Sequence, residues 1–112
     1  ECEAIETVES DVSEPWWKRV AKLRERGLLD EAIAVVKRDG DRAEALLVEA
    51  DLHADRMHRA QAAGDAHVAR EAWQNASECV YAYAASATSG GEGTARSIER
   101  DRFLARLGPE PV

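Results

Sequence analysis

The chain is poor in the residues that most often announce a chemistry. It has one phenylalanine, one methionine, three prolines and two cysteines in 112 residues. Cys2 and Cys79 are far apart and fit no metal-ligand spacing, which excludes a zinc ribbon and a disulfide-built scaffold. A reduced, cytoplasmic chain is the expectation. No apolar run approaches the roughly 20 residues of a membrane-spanning helix. Residues 1–14 show neither the basic start nor the apolar stretch of a secretory signal. Runs of alternating β-branched residues are missing too, and with them the signature of a sheet. The glycines of SGGEG, residues 89–93, lack the lysine and the spacing of a phosphate-cradling loop.

Charge is present but unevenly placed. The net charge is −7, and Glu1, Glu3, Glu6, Glu9, Asp11 and Glu14 supply most of it with no base among them. This acidic arm, residues 1–12 with the two that follow, precedes the one basic segment, in which Lys18, Arg19, Lys22, Arg24 and Arg26 outweigh Glu25. Nucleic-acid affinity rests on accessible cations. An acidic arm beside the only basic segment argues against it, so neither a nucleic-acid nor a membrane partner is expected.

Apolar spacing of three and four residues predicts an all-α fold. Ser13 is placed to cap a first helix with Pro15 in its opening turn and Trp16, Val20 and Leu23 along one face. Gly27 ends it. Leu29, Ala32, Ile33 and Val36 stripe a second helix that stops at Gly40, read as a left-handed terminator. Asp41 and Glu44 resemble a capping box for a third helix, striped by Ala43, Leu46, Leu47, Ala50, Ala54 and Met57 and running to about Ala63. Gly64 and Asp65 supply the next stop and start. The fourth helix carries Ala69, Ala72, Trp73, Ala76, Val80, Tyr83 and Ala84. Residues 89–93 read as a flexible loop, followed by a last helix over 94–107, capped by Thr94 and bearing Ile98, Leu104 and Leu107. Residues 108–112 form a tail. The helical domain thus spans 13–107, with helix pairs at 13–40 and 41–88.

Two segments resemble each other. RGLLDEAIAVV, residues 26–36, and AGDAHVAREAW, residues 63–73, each place a Gly, an Ala five residues on, and a larger apolar residue four beyond. Gly27, Ala32 and Val36 answer to Gly64, Ala69 and Trp73. With Trp16 and Leu23 before the first turn and Ala76 after the second, residues 13–80 resemble the tetratricopeptide repeat family. His53 stands where that family prefers Trp, Ala60 replaces an aromatic, and no Pro closes either unit. The resemblance implies two antiparallel helical hairpins with the last helix as a cap; a generic antiparallel helix bundle is the alternative.

What the resemblance implies about function is a non-catalytic protein-interaction module. Its groove would display Trp17, Arg24, Asp51, His58 and Gln61 to a peptide or helix. The wheel independently sets Trp17 off the Trp16–Val20–Leu23 stripe, and exposed Trp and Arg are frequent binding anchors. The family's receptor for C-terminal carboxylates needs Lys and Asn at groove positions that hold Trp17, Asp51, Ala54 and His58 here, so that activity is not implied. The rival class is self-association through Trp16, Val48 and Leu52, the last two lying nearly opposite the expected core stripe of the third helix.

Metal and nucleophile chemistry are weakly signalled. Asp51, Asp55 and His58 share one side of the third helix, but a helical carboxylate site needs a second motif on another helix. His67 and Glu71 are the only candidates. Cys79 can be paired on paper with His58 or His67, yet it sits at the edge of an apolar stripe, where cysteine is usually packing. No cofactor and no enzymatic activity are expected.

Overall fold

The computed structural model describes residues 15–40 and 43–111. The acidic arm, Ser13 and Asp41 lie outside the described residues. Among those described there are five helices and no strand: α1 Trp16–Glu25, α2 Leu29–Asp39, α3 Glu44–Ala63, α4 Ala66–Ala85 and α5 Gly90–Leu107. The fold is all-α, and no described helix is long and apolar enough to cross a membrane. The chain divides at Gly40 into two compact units.

In the first unit α1 packs on α2. Pro15 precedes the first turn, and its carbonyl accepts from the amides of Lys18 and Arg19. Proline suits a helix entrance because its missing N–H would have no partner there. At the other end Gly27 adopts φ +80°, while the amides of Leu28 and Gly27 donate to the carbonyls of Leu23 and Arg24. That is a Schellman motif, in which a left-handed residue reverses the chain while satisfying the last carbonyls. Val20 then meets a helix whose Leu29, Ala32, Ile33 and Val36 are all buried. The Arg19 guanidinium reaches across to the Asp39 carboxylate at 2.5 Å. The hydrogen bond from neighbouring Arg38, with help from Arg19, holds the Asp39 carboxyl below the usual carboxylate range. Gly40 does not terminate α2 as a left-handed residue: its backbone is extended, φ −67° and ψ 118°.

The second unit repeats the device. Gly64 has φ +80°, Asp65 N–H donates to Ala60 O at 2.8 Å and Gly64 N–H to Gln61 O at 3.1 Å. Asp65 at once becomes the N-cap of α4, its carboxylate accepting from Val68 N–H. Two residues therefore suffice to turn the chain. The Arg56–Glu71 ion pair joins a residue eight positions before Gly64 to one six positions after Asp65, so α3 and α4 run in opposite senses along each other. A Cβ built on Gly64 would meet nothing within 4 Å. Gly64→Ala is therefore expected to lose only the left-handed backbone preference, about 1–2 kcal/mol in a urea titration.

The core of this unit is built from small residues. Ala50, Met57 and Ala60 of α3 meet Ala69, Ala72, Ala76 and Val80 of α4, and Phe103 and Leu107 of α5 complete the cluster. Alanine at the seam lets backbones approach closely, and the few larger side chains fill the remaining space. α4 is the middle helix, packed on α3 and on α5. The Trp73 indole N–H donates to Gly108 O at 2.9 Å and ties the end of α5 to α4.

Three further expectations need correction. Residues 90–93 are the first turn of α5, not a flexible loop, and Ser89 rather than Thr94 caps it, accepting from Glu92 N–H. Glu92 reaches back to Thr88 N–H at 2.7 Å and pairs with Arg96 one turn on, and these interactions offset the poor helix propensity of three glycines. The Thr88 amide and hydroxyl hold the Glu92 carboxyl below its ordinary value. Secondly, Ile98 is 47% exposed, whereas Phe103 and Leu107 face the core. The inward line of α5 runs through Arg96, Phe103 and Leu107, and Ile98 sits two residues, some 200°, round from Arg96. Thirdly, α3 buries Ala45, Leu52 and His53 besides Ala50, Met57 and Ala60. Leu52 has no exposed surface, and Val48 is half-buried. Leu52 cannot serve as an exposed self-association residue.

Candidate functional site

α3 and α5 flank α4, and between them opens a cleft of about 630 Å³. Leu47 and Asp51 contribute from α3, and Glu99, Arg102, Phe103, Ala105 and Arg106 from α5. Leu47 and Asp51 are four residues apart, one turn of helix, so both project from one side of α3. On α5 the steps from Glu99 to Arg102, Phe103 and Arg106 do the same. Phe103 is buried in the floor, with the Arg106 guanidinium 5.8 Å from its ring centroid. The wall is fixed from below by Tyr83 of α4, whose hydroxyl donates to Glu99 Oε1 at 3.1 Å. Burial first, and the Glu99 bond second, push the Tyr83 hydroxyl above its ordinary pKa, so it remains a donor through neutral pH. Arg96 lies over the same ring at 5.0 Å and donates to Tyr83 O. The result is an apolar floor with two carboxylates and two guanidinium groups on the rim.

A smaller hollow of about 240 Å³ lies at the other end of α3, lined by Gln61, Gly64, Ala66, Ala69 and Pro111. The residues expected to form the groove are therefore distributed. Asp51 lines the main cleft, Gln61 the smaller hollow, and His58 is exposed on α3 between them. In the first unit Trp17 is 51% exposed, its ring 5.9 Å from Trp16 in an edge-to-face pair, and Arg24 is exposed. Trp16 itself is half-buried.

The chain matches no family model, no curated protein and no solved structure.

A second constellation lies between α3 and α4. Glu49, His53 and Cys79 each offer one donor atom, and the three atoms lie within 4.8 Å of one another. His53 is 4% exposed, and its Nε2 is 3.2 Å from Glu49 Oε2. Among the described residues this is the group that brings histidine, cysteine and carboxylate together; Asp51, Asp55 and His58 do not converge. The reason is axial distance, since seven residues of helix separate Asp51 from His58 by about 10 Å. Glu71, weighed as their partner, pairs with Arg56 instead.

The sequence held a signal for this group. Glu49 and His53 are four residues apart on one helix, and counting outward from the Gly64–Asp65 turn sets Cys79 opposite residue 50. The family pattern alone makes His53 a departure, and helix spacing alone sets Cys79 against His58 and His67.

Proposed function

We propose that the chain is a non-catalytic protein-interaction module whose principal contact surface is the cleft between α3 and α5. The observation that carries this reading is the cleft's composition: Leu47 and Phe103 in the floor, and Asp51, Glu99, Arg102 and Arg106 around it. Small-molecule sites enclose most of their ligand. An open trough between two helices suits a peptide or short helix that lays one or two apolar side chains along it. Charges of both signs on the rim fix its direction, and a partner with an acidic and a basic residue flanking an apolar anchor is complementary. The tetratricopeptide-like reading is consistent with this placement, because Asp51 is one of the positions it assigned to a binding groove. Trp17 and Arg24 offer a contact surface on the first unit, and His58 and Gln61 are exposed further along α3, Gln61 in the smaller hollow.

The test is affinity. Peptides selected from a library of short amphipathic sequences are expected to bind the full chain with micromolar dissociation constants by fluorescence anisotropy. Asp51→Arg and Arg106→Glu are each expected to weaken binding at least tenfold, about 1.4 kcal/mol or more. Undiminished binding in both variants would remove the cleft.

The half-exposed Trp17 beside Trp16 favours a second reading, self-association of two copies through this end. Light scattering decides it: a mass that stays monomeric at high protein concentration excludes it.

A further inference from the structure

We propose that Glu49, His53 and Cys79 form a binding site for one zinc ion between α3 and α4. The geometry admits the ion with little movement. Three atoms no more than 4.8 Å apart have a common centre within that distance divided by the square root of three, about 2.8 Å, of each, whereas zinc bonds to nitrogen, oxygen and sulfur are about 2.0–2.3 Å. A shift of under about 1 Å per donor, within reach of side-chain rotation, brings all three to bonding distance. The 3.2 Å between Nε2 of His53 and Oε2 of Glu49 is already near the ~3.3 Å edge of a tetrahedron with bonds of about 2.05 Å.

The donor types choose the metal. A thiolate with imidazole and one carboxylate suits zinc and its transition-metal neighbours, and disfavours magnesium and calcium, which take oxygen sets. Charge balances in the bound state, where the Glu49 carboxylate and a Cys79 thiolate together neutralise one divalent ion. Binding deprotonates the thiol, so one proton leaves for each ion taken up at neutral pH. Three protein donors leave the fourth position to water, and the half-buried Cys79 marks the side from which the ion enters.

The position explains what the ion would do. Glu49 and His53 belong to α3 and Cys79 to α4, so the ion cross-links two helices at the end remote from the Gly64–Asp65 turn. The turn closes one end of this pair and the metal would close the other. This role is independent of the cleft, and neither stands or falls with the other.

Cobalt titration of the full chain tests the site, since Co²⁺ bound through a thiolate shows near-ultraviolet charge-transfer and visible ligand-field bands. With Cys2→Ser to remove the other thiol, the bands are expected to saturate at one equivalent and to bleach when zinc is added. Cys79→Ser and His53→Gln are each expected to weaken binding at least a hundredfold, and Glu49→Gln at least tenfold. Bands of equal strength in Cys79→Ser or His53→Gln would overturn the proposal. A measurement on the unsubstituted chain removes dependence on variants that fail to fold. One equivalent of zinc is expected to slow alkylation of Cys79, followed by peptide mass spectrometry, at least tenfold. An unchanged rate at Cys79 would equally overturn it.

Discussion

Truncating Phe103 to alanine is expected to lower the unfolding free energy of the second unit by about 3–5 kcal/mol, the range for deleting a buried aromatic ring. Phe103 and Leu107 are the two buried residues of α5, and Phe103 belongs to the cluster that contains Met57, Val80 and the seam alanines. Removing the ring leaves a void against α4 that a backbone already packed on small residues cannot close by moving inward. The control is Ile98→Ala on the same helix. Ile98 is exposed, so its truncation is expected to change stability by no more than about 0.5 kcal/mol. Urea titrations followed by circular dichroism give both numbers. Similar losses for the two variants would mean that α5 is turned to a different face.

The second large effect concerns α3. Leu52→Ala is expected to cost about 2–5 kcal/mol, because Leu52 is among the largest fully buried side chains of the chain. A leucine on an outer, self-association face would lose only about 0.5 kcal/mol or less. Denaturation at low protein concentration keeps the comparison free of association. A loss near zero would restore Leu52 to the surface and to the candidate self-association residues.

The contrast between α3 and α4 shows which information the sequence carries. The α4 stripe was legible from its steps of three and four: of its seven residues, Ala69, Ala72, Ala76, Val80 and Tyr83 are buried, and Trp73 and Ala84 are half-buried beside them. On α3 the residues Ala45, Leu46, Leu47, Val48, Ala50, Leu52 and Ala54 surround most of the helix, so periodicity does not single out one face. Which of them is covered depends on neighbours that spacing alone does not supply. The turns were legible for a local reason. Gly27 and Gly64 each sit where the backbone needs positive φ, and glycine adopts it without strain. Gly40 fits the same rule on paper but has an extended backbone, since a helix can end without a left-handed residue.

The last helix departs from the spacing-based expectation only at its start, which is Gly90 rather than Thr94. Three glycines in SGGEG outweighed the Ser-x-x-Glu pattern that starts at Ser89, although Ser89 and Glu92 both act at the helix entrance. Capping and the Glu92–Arg96 pair oppose the glycine penalty there. As a result the segment holding Glu99, Arg102, Phe103 and Arg106 enters the cleft as one wall, and of the residues expected to bind a partner only Asp51 lines it. A site shared by two helices depends on their relative register. Asp51 was visible from its own helix, and its companions on α5 were not.

The most direct test of the cleft is amide chemical-shift mapping of the full chain during titration with a selected peptide. The predicted result is a set of shifts centred on Leu47, Asp51, Glu99, Arg102 and Arg106, with Trp17 and Arg24 changing less. Saturating binding that leaves those five residues unmoved would contradict it.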